Sequence, residues 1–233
     1  MQALILCGGF GNRLRTVVND RPKPMALIHG RPFLEYIIEF IVKQNMKEIT
    51  FCTGYLGHQI KDYFKDGKEW GCSITYSEEQ EPLGTGGAVK LAQEVITDEN
   101  FFILNGDTFL ALDYGEMVAS HIQNRSFLTM ALSQVENVER YGSIELTQNG
   151  RIQLFTEKNQ ISSSNYINAG VYLCSRDILK HIAAEKRISI ESEIFPKLLE
   201  EDLPLYGHKT DGYFIDIGIP ETYYKFQEDL IRR

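Results

Sequence analysis

Residues Leu6–Pro24, LCGGFGNRLRTVVNDRPKP, decide how the rest of the chain is interpreted. The stretch begins at the end of a short apolar segment, passes through a glycine loop that contains Arg13, and reaches Lys23 between two prolines. Glycines carry no Cβ, so the N–H groups of such a loop can approach an anion closely. The fixed guanidinium fork and the mobile ammonium both suit phosphate oxygens. The stretch therefore predicts a phosphate site, and we expect a nucleoside triphosphate in it.

Apolar segments alternate with helical patterns over the first half of the chain. Short apolar runs predict buried strands at Gln2–Cys7, Glu48–Thr53, Ser73–Tyr76 and Phe101–Leu104. Helical spacing predicts helices at Pro32–Gln44, Gly57–Phe64 and Ala88–Ile96. This alternation predicts a mostly parallel sheet, whose ligands bind at the carboxyl ends of the strands. The glycine loop and Asp107 both fall at such ends.

From about residue 111 the pattern changes to strands with few helices between them. The strand candidates are Phe127–Val135, Gly142–Leu146, Ile152–Phe155, Tyr166–Leu173 and Tyr213–Ile217, and the helix candidates are Ser192–Glu200 and Glu221–Arg232. With 233 residues and no linker-like stretch, the sequence predicts one α/β domain, 1–233, that is Rossmann-like with a central mixed, mostly parallel sheet. We expect a nucleotide-binding half over about 1–110 and a half that binds the other substrate over about 111–233.

Composition and charge argue against several classes of protein. Hydrophobic residues make up 43% and charged residues 24% of the chain, as in soluble globular proteins. A net charge of −8 argues against a general binder of nucleic acids or membrane surfaces. There is no signal-peptide pattern and no apolar run near the roughly 20 residues of a membrane span, so we expect a cytoplasmic protein. The four cysteines form no CxxC, which argues against zinc, and Cys7, Cys52 and Cys174 are expected to be buried free thiols.

Two common phosphate loops do not match this one. A P-loop ends in Gly-Lys-Ser/Thr, whereas this loop continues Gly11-Asn12-Arg13. A dinucleotide fingerprint has a third glycine where this chain has Leu14, which argues against a nicotinamide oxidoreductase. The glycine loop becomes specific only together with later segments in a fixed order: RPKP, LGTGGA, NGD, EK, NAG and DIGIPE.

In that ordered set the chain resembles the sugar-1-phosphate nucleotidylyltransferases, and the resemblance covers Leu6 to Glu221. It implies that the glycine loop binds the triphosphate and that Arg13 and Lys23 are catalytic residues that contact phosphate. The nucleotide-binding residues implied are Leu6, Gly8, Gly9, Gly11, Asn12, Arg13, Lys23, Glu79, Gly84 and Thr85. Two departures bear on the loop geometry: Asn12 replaces the family's usual threonine, and Arg15-Thr16-Val17 lacks the customary proline.

Two aspartates are candidates for binding a metal. Asp107 follows an apolar strand, and Asp216 lies in Phe214–Gly218. Taken singly, each would also fit a simple turn cap after its strand. Mg²⁺ beside a triphosphate takes few carboxylates plus phosphate and water oxygens, and the family uses the equivalent pair in this way. The resemblance therefore implies Mg²⁺ as a cofactor, held by Asp107 and Asp216.

The sugar phosphate is expected in the second half of the chain. Glu157-Lys158 and Asn168-Ala169-Gly170 match the family's sugar-phosphate segments. This match implies that Glu157 accepts hydrogen bonds from sugar hydroxyls and that Lys158 holds the sugar's phosphate. Asn168 and Gly170 are implied as sugar-phosphate-binding residues, and Tyr141 and Gly142 are expected to approach the sugar ring. An isolated Glu-Lys pair would equally fit a solvated surface, and the neighbouring motifs favour the site.

The segment Glu78–Gly86 bears on the identity of the base. A carboxylate can accept both the N1–H and the N2 amino protons of guanine, whereas uracil and thymine suit a glutamine amide. The segment is similar to the EEEPLGTAG-type loop of mannose-1-phosphate guanylyltransferases, and counting back from Gly84 places Glu79 where thymidylyl and uridylyl relatives have glutamine. We therefore expect GTP. Gln80 lies one residue away, and a shift of one residue would reverse the argument.

The reaction implied is nucleotidyl transfer from GTP to a sugar 1-phosphate, without a general base because the attacking phosphate is already ionised. Short members of the family that end as this chain does include those acting on D-glycero-D-manno-heptose 1-phosphate, so a GDP-heptose for surface polysaccharides is the expected product. Mannose-1-phosphate guanylyl transfer and hexose- or MurNAc-1-phosphate uridylyl transfer are the alternatives. An inactive, nucleotide-sugar-binding regulatory homologue would have lost charged site residues, which this chain keeps. The sequence leaves the oligomeric state open, a homo-oligomer included.

Overall fold

The computed structural model describes residues 1–9, 11, 13–135, 141–156 and 164–231. Over these residues the strands are β1 Gln2–Leu6, β2 Leu27–Ile28, β3 Arg31–Pro32, β4 Glu48–Thr53, β5 Ser73–Glu78, β6 Asn100–Asn105, β7 Thr108–Leu110, β8 Leu128–Gln134, β9 Ser143–Leu146, β10 Ile152–Thr156, β11 Tyr166–Ser175, β12 Leu205–Thr210 and β13 Phe214–Asp216. The helices are α1 Phe33–Lys43, α2 Gly57–Phe64, α3 Gly84–Leu91, α4 Tyr114–Gln123, α5 Phe195–Glu200 and α6 Pro220–Ile231.

Seven of these strands form the central sheet, in the order β12-β8-β11-β6-β1-β4-β5. The pairs β6–β1, β1–β4, β4–β5 and β12–β8 are parallel, and β11 is antiparallel to both of its neighbours. One reversed strand therefore separates two parallel groups that point the same way. The predicted α/β class and the mixed, mostly parallel sheet are confirmed.

Both faces of the sheet are buried, which explains the continuous apolar runs of its central strands. Side chains alternate between faces along a strand. In β1, Ala3 and Ile5 pack into one hydrophobic core while Leu4 packs into the other, and all three are fully buried. The four cysteines are buried free thiols, as expected for Cys7, Cys52 and Cys174.

His121 of α4 connects the two parallel groups of strands. Its Nδ1 lies 2.9 Å from Oγ1 of Thr129 on β8, and its Nε2 lies 3.3 Å from Oδ1 of Asn100 on β6. The ring is buried, and burial lowers its pKa to about 4. A neutral histidine therefore joins the strands on both sides of β11.

No bounds were predicted for β2, β3, β7 and α4, and three further elements differ from those that the sequence predicts. The edge strand β12 was not predicted, because its sequence LYGHKT is mostly polar and contains Gly207. Helix α3 begins at Gly84 rather than Ala88, and it ends at Leu91, where a 3₁₀ turn, Ala92–Val95, follows. The predicted helix Ser192–Glu200 is a wide π turn, Ile190–Ile194, followed by α5. In the described part of the chain, no helix is both long and apolar enough to cross a membrane.

Candidate active site

Most of the predicted nucleotide-binding residues meet in a cleft of about 390 Å³ at the carboxyl ends of β1 and β6. Parallel neighbours end at the same edge of a sheet, so segments far apart in sequence come together there. We call this the first cleft. Its lining includes the predicted residues Leu6, Gly8, Gly9, Gly11, Lys23, Glu79, Gly84, Thr85 and Asp107. Asn105 and Arg187 also line it and were not predicted.

Arg13 is exposed and lies beside the first cleft, near Asp216. A Cβ added at Gly218 would lie 3.4 Å from Nη2 of Arg13 and 2.6 Å from Oδ1 of Asp216. The Arg13 guanidinium and the Asp216 carboxylate therefore both lie near Gly218, and neither residue lines the first cleft. Asn12 lies outside the described residues.

The glycines of the loop accommodate two charged side chains. A Cβ added at Gly8 would lie 2.6 Å from Oε1 of Glu79, and one at Gly54 would lie 2.5 Å from the same atom. Gly11 has φ +63°, and a Cβ there would contact the Lys23 side chain at 3.2 Å. Side chains at these positions would therefore displace Glu79 or crowd Lys23.

Lys23 is paired with Asp107 across the first cleft. Its Nζ lies 2.5 Å from Oδ2 of Asp107, and the two side chains are 14% and 28% exposed. Lys23 opens a 3₁₀ turn, Lys23–Met25, whose other two residues are buried, so its backbone is anchored. The pair places a cation beside a carboxylate where the phosphates of a nucleotide are expected.

Asp107 and Asp216 come from neighbouring segments of a small ladder. Strands β7 and β13 pair antiparallel with Thr108 opposite Asp216, and the Ile217 N–H donates to the Asp107 carbonyl at 3.0 Å. The Gly218 N–H donates to Oδ1 of Asp216 at 2.5 Å. Among the described residues no group of three acidic, histidine or cysteine side chains could hold a metal. The carboxylates of Asp107 and Asp216 fit Mg²⁺, which takes few carboxylates when phosphate oxygens complete its shell.

Glu79 is a half-buried carboxylate in the first cleft, whereas Gln80 is exposed and does not line it. The Glu79 N–H extends the β5 ladder by donating to the Thr53 carbonyl, and Oε2 accepts the Leu83 N–H at 3.0 Å. Burial raises the pKa of Glu79, and the Leu83 N–H partly offsets this. The structure therefore puts the carboxylate, and not the neighbouring amide, in the cleft.

A distant segment holds the loop before α3 in place. The Ile188 N–H donates to the Leu83 carbonyl at 2.8 Å, and the Gly86 N–H donates to the Ile188 carbonyl at 2.9 Å. Gly84 has φ +71°, and a Cβ there would lie 2.5 Å from the Ile188 carbonyl oxygen. This clamp brings Arg187 to the first cleft. Its local sequence, AEKRIS, contains no motif from which the position could be inferred.

A second cleft of about 680 Å³ is lined by three of the predicted sugar-phosphate residues: Tyr141, Gly142 and Asn168. It also contains Glu191, which was not predicted. The Asn168 Nδ2 donates to the Tyr172 hydroxyl at 2.8 Å, and its Oδ1 accepts the Gly170 N–H at 2.9 Å. Glu157 and Lys158 lie outside the described residues.

Gly170 does not line the second cleft in the part of the chain that is described. It lies where the pairing of β11 with β8 shifts register, between Asn168 and Tyr172, and its φ is +71°. A Cβ there would lie 2.9 Å from Nδ2 of Asn105, a residue of the first cleft. The positive φ and the lack of space for a Cβ therefore explain a glycine at this position, whether or not it contacts a ligand.

The chain is similar to known proteins over nearly its whole length. The family model "Nucleotidyl transferase" matches residues 2–233. The chain is 43% identical over 230 residues to a D-glycero-alpha-D-manno-heptose 1-phosphate guanylyltransferase of Aneurinibacillus thermoaerophilus, covering 99% of this chain and 98% of the relative. The enzyme of that name from Campylobacter jejuni is 40% identical and covers 97% and 98%.

A solved structure has a similar fold. HddC from Yersinia pseudotuberculosis, a structure of which is complexed with GMP-PN, is 35% identical and superposes with a TM-score of 0.87. The match covers 98% of this chain and 99% of HddC. The resemblance seen in the sequence is thereby confirmed, and the chain belongs to the nucleotidyl transferase family.

Proposed function

We propose that the protein transfers a guanylyl group from GTP to D-glycero-alpha-D-manno-heptose 1-phosphate, giving GDP-heptose and pyrophosphate. The observation that carries the proposal is the half-buried Glu79 carboxylate in the first cleft. Two relatives named for this activity, at 43% and 40% identity over nearly the full length of both chains, support the choice of sugar. The GMP-PN complex of HddC supports a guanine nucleotide.

Glu79 discriminates between bases through its charge. The two oxygens of an ionised carboxylate can accept N1–H and an N2 amino proton of guanine together. Uracil and thymine present one N–H donor between two carbonyl oxygens, and a carboxylate repels those oxygens. A glutamine in this place would reverse the preference, since its amide has both a donor and an acceptor.

The phosphates of GTP are placed along the glycine loop, with Lys23 and Arg13 neutralising their charge. In the structure Lys23 pairs with Asp107, so we infer that its ammonium turns from the carboxylate to a phosphate oxygen when GTP binds. Arg13, exposed beside Asp216, approaches the triphosphate from the rim. The two residues stabilise the charge that develops during transfer.

Transfer requires only positioning and charge neutralisation. A phosphate oxygen of the sugar 1-phosphate forms a bond to the α-phosphorus of GTP, the bond from that phosphorus to the β-phosphate bridging oxygen breaks, and pyrophosphate leaves. The nucleophile is already ionised, so no side chain has to remove a proton. Asp107 and Asp216 would hold Mg²⁺, which supplies further neutralisation of phosphate charge.

The sugar is placed in the second cleft, beside Tyr141, Gly142 and Asn168. Glu157 and Lys158 complete the proposed set, with Lys158 on the phosphate. We place the reaction in the cytoplasm, as the sequence predicts. No nucleic acid or membrane takes part in it.

Pyrophosphate release tests the proposal. Four nucleoside triphosphates are each combined with the 1-phosphates of D-glycero-D-manno-heptose, mannose, glucose and an N-acetylhexosamine, in the presence of Mg²⁺. GTP with the heptose 1-phosphate is expected to give the highest kcat/KM. A faster reaction with UTP or dTTP would contradict the role of Glu79, and a faster reaction with another sugar would contradict the heptose assignment. No turnover with any pair would favour the inactive regulatory homologue.

A further inference from the structure

Glu191 stands at the wall between the two clefts. It lies in the π turn Ile190–Ile194 and lines the second cleft. Its Oε2 accepts the hydroxyl of Thr85, a residue of the first cleft, at 2.6 Å, and the hydroxyl of Ser189 at 3.2 Å. The Ile190 N–H donates to the Thr85 hydroxyl at 2.9 Å. One hydrogen bond therefore joins the two clefts across a sequence separation of 106 residues.

These bonds use up the donor capacity of Thr85 and leave acceptor capacity on Glu191. The Thr85 hydroxyl has one hydrogen, which it gives to Oε2 of Glu191. Among the described residues, no side chain or backbone N–H donates to Oε1 of Glu191, and no lysine, arginine or histidine pairs with the carboxylate. A half-buried carboxylate in this arrangement can accept hydrogen bonds from a ligand in the second cleft.

The described part of the second cleft, around Glu191, suits the hydroxyls of a sugar better than its phosphate. Its described lining contains two carboxylates, Glu191 and Glu200, and no cationic side chain. Carboxylates repel a phosphate and accept hydroxyl donors. Phe155, Leu154 and Pro196 add apolar surface for the C–H faces of a sugar ring. The phosphate end of the substrate is thus directed away from Glu191.

Glu191 also belongs to a polar group with the predicted sugar residue Asn168. The Asn168 amide donates to the buried Tyr172 hydroxyl. Burial raises the pKa of that phenol, and the negative charge of Glu191 raises it further. Asn168 and Glu191 both line the second cleft, so one sugar bound there can contact both side chains.

We propose that Glu191 is a specificity-determining residue that accepts hydrogen bonds from sugar hydroxyls in the second cleft. Thr85 is then the positioning residue that fixes the orientation of the Glu191 carboxylate. The inference rests on the proposed function, since it takes a sugar 1-phosphate as the second substrate. Thr85 thereby has a role toward the sugar although it lines the first cleft.

Glu191→Gln tests the role of the carboxylate. The amide oxygen can still accept from Thr85, so the loop stays held while the charge is lost. We expect the KM for the sugar 1-phosphate to rise about ten- to a hundredfold, as for the loss of hydrogen bonds to a charged group. The KM for the nucleotide is expected to stay within about twofold, because the clamp of Ile188 on Leu83 and Gly86 is unchanged.

Glu193→Gln is the matched control. Glu193 lies on the same turn, is exposed, accepts the Ser189 N–H through Oε1, and does not line the second cleft. Its variant is expected to behave as the parent. A sugar KM of Glu191→Gln within about twofold of the parent would overturn the proposal, as would an equal rise in both KM values, which would indicate that Glu191 only holds the loop.

A double-mutant cycle with Thr85→Val tests the positioning role. Thr85→Val alone is expected to raise the sugar KM about three- to tenfold, and to add nothing in the Glu191→Gln background, because Thr85 acts on the sugar through Glu191. Additive effects of the two substitutions on the sugar KM would overturn this part.

The test is separable from that of the proposed function. The variants are compared with the parent on whichever sugar 1-phosphate and nucleotide the parent uses best. The ratio of the sugar KM of variant and parent therefore stays measurable even if the heptose or GTP assignment is wrong. Calorimetric binding of heptose 1-phosphate and mannose 1-phosphate, with GDP present, gives the same ratio without turnover. Equal affinities of parent and Glu191→Gln for the sugar phosphate that binds would overturn the proposal.

Discussion

The two clefts share one sheet edge and are built in different ways. The first is formed by loops that directly follow the parallel strands β1, β5 and β6, so its residues come from positions where buried strands end. The second is formed by the β9–β10 ladder, the irregular end of β11 and the π turn before α5. Parallel strands place ligand groups by a general rule. The second cleft depends on pairings particular to this chain, such as Thr85 with Glu191.

This difference suggests a division of labour. Chemistry common to all substrates, the phosphates and their charge, is assigned to the regular part, where Lys23 and Asp107 meet. The choice of sugar is assigned to the irregular part, where Glu191 and Asn168 lie. The clefts are linked through Thr85, and the sheet beneath them is linked through His121.

The largest effect is expected at the charged pair of the first cleft. Lys23→Ala and Asp107→Asn should each lower kcat by about 10³, because each removes a group that neutralises or organises phosphate charge in the transition state. Pyrophosphate release with saturating substrates measures this, and circular dichroism establishes that the variants are folded.

Lys61→Ala is the control for Lys23→Ala. Lys61 pairs with Glu78 at 2.7 Å on the surface, where the two side chains are 56% and 48% exposed, and it lines neither cleft. Such an exposed pair contributes little, so kcat should change by less than about twofold. A folded Lys23→Ala protein with a rate near that of Lys61→Ala would remove Lys23 from the mechanism.

The second effect concerns the connection between the two groups of strands. Burial lowers the pKa of His121 to about 4 from an ordinary 6.5. Between these values the unfolded chain binds a proton that the folded chain does not, so the free energy of unfolding falls as the pH drops from 6.5 toward 4. By pH 5 this residue should account for a loss of about 2 kcal/mol relative to pH 7.

Urea unfolding of the parent and of His121→Gln at pH 7 and pH 5 measures this loss. The variant should lose less stability on acidification than the parent, by that amount. His58→Gln, a change at an exposed histidine of α2, should show the parent's pH dependence. If the free energy of unfolding falls by the same amount from pH 7 to pH 5 in the parent and in His121→Gln, the buried histidine does not cause the loss of stability in acid.

The smallest effect is the pH dependence of nucleotide binding. Burial raises the pKa of Glu79 above that of an ordinary glutamate, and the ionised form is the one that accepts guanine N–H groups. GTP affinity should therefore weaken as the pH falls through this raised pKa, by up to about tenfold per pH unit below it. Calorimetry from pH 7.5 downward follows the change.

The difference between variants isolates Glu79 from the titration of the nucleotide itself. Glu79→Gln should bind GTP more weakly at neutral pH and should lose this part of the pH dependence. Glu78→Gln, at the exposed neighbouring position, should keep it. Identical pH profiles for Glu79→Gln and the parent would show that Glu79 does not meet the base.

Sequence patterns reached the first cleft and missed much of the second for a physical reason. Gly8 and Asp107 each follow an apolar strand, and the parallel arrangement of these strands brings their ends together. Glu191 in the second cleft and Arg187 in the first were both missed, because their positions follow from hydrogen bonds of Thr85 and Ile188 to residues far away in sequence. β12 was missed because an edge strand with polar residues lacks the apolar run that marks a central one.

For some glycines the structure shows a packing role that the local sequence pattern does not indicate. Gly8 was predicted to let its N–H approach phosphate, and together with Gly54 it also makes room for the Glu79 carboxylate, which no local pattern indicates. Gly170 was assigned to the sugar, and the structure gives it a positive φ at a register shift of β11. Such roles depend on packing between segments, which one sequence does not contain.

The division of labour is tested most directly by comparing Glu79→Gln and Glu191→Gln in one kinetic experiment with both substrates varied. Glu79→Gln is expected to lower kcat/KM for GTP and to leave the KM of the sugar 1-phosphate near that of the parent. Glu191→Gln is expected to raise the KM of the sugar 1-phosphate and to leave the KM of GTP unchanged. If each variant impairs both substrates to the same extent, the two clefts do not read the base and the sugar separately, and the account is contradicted.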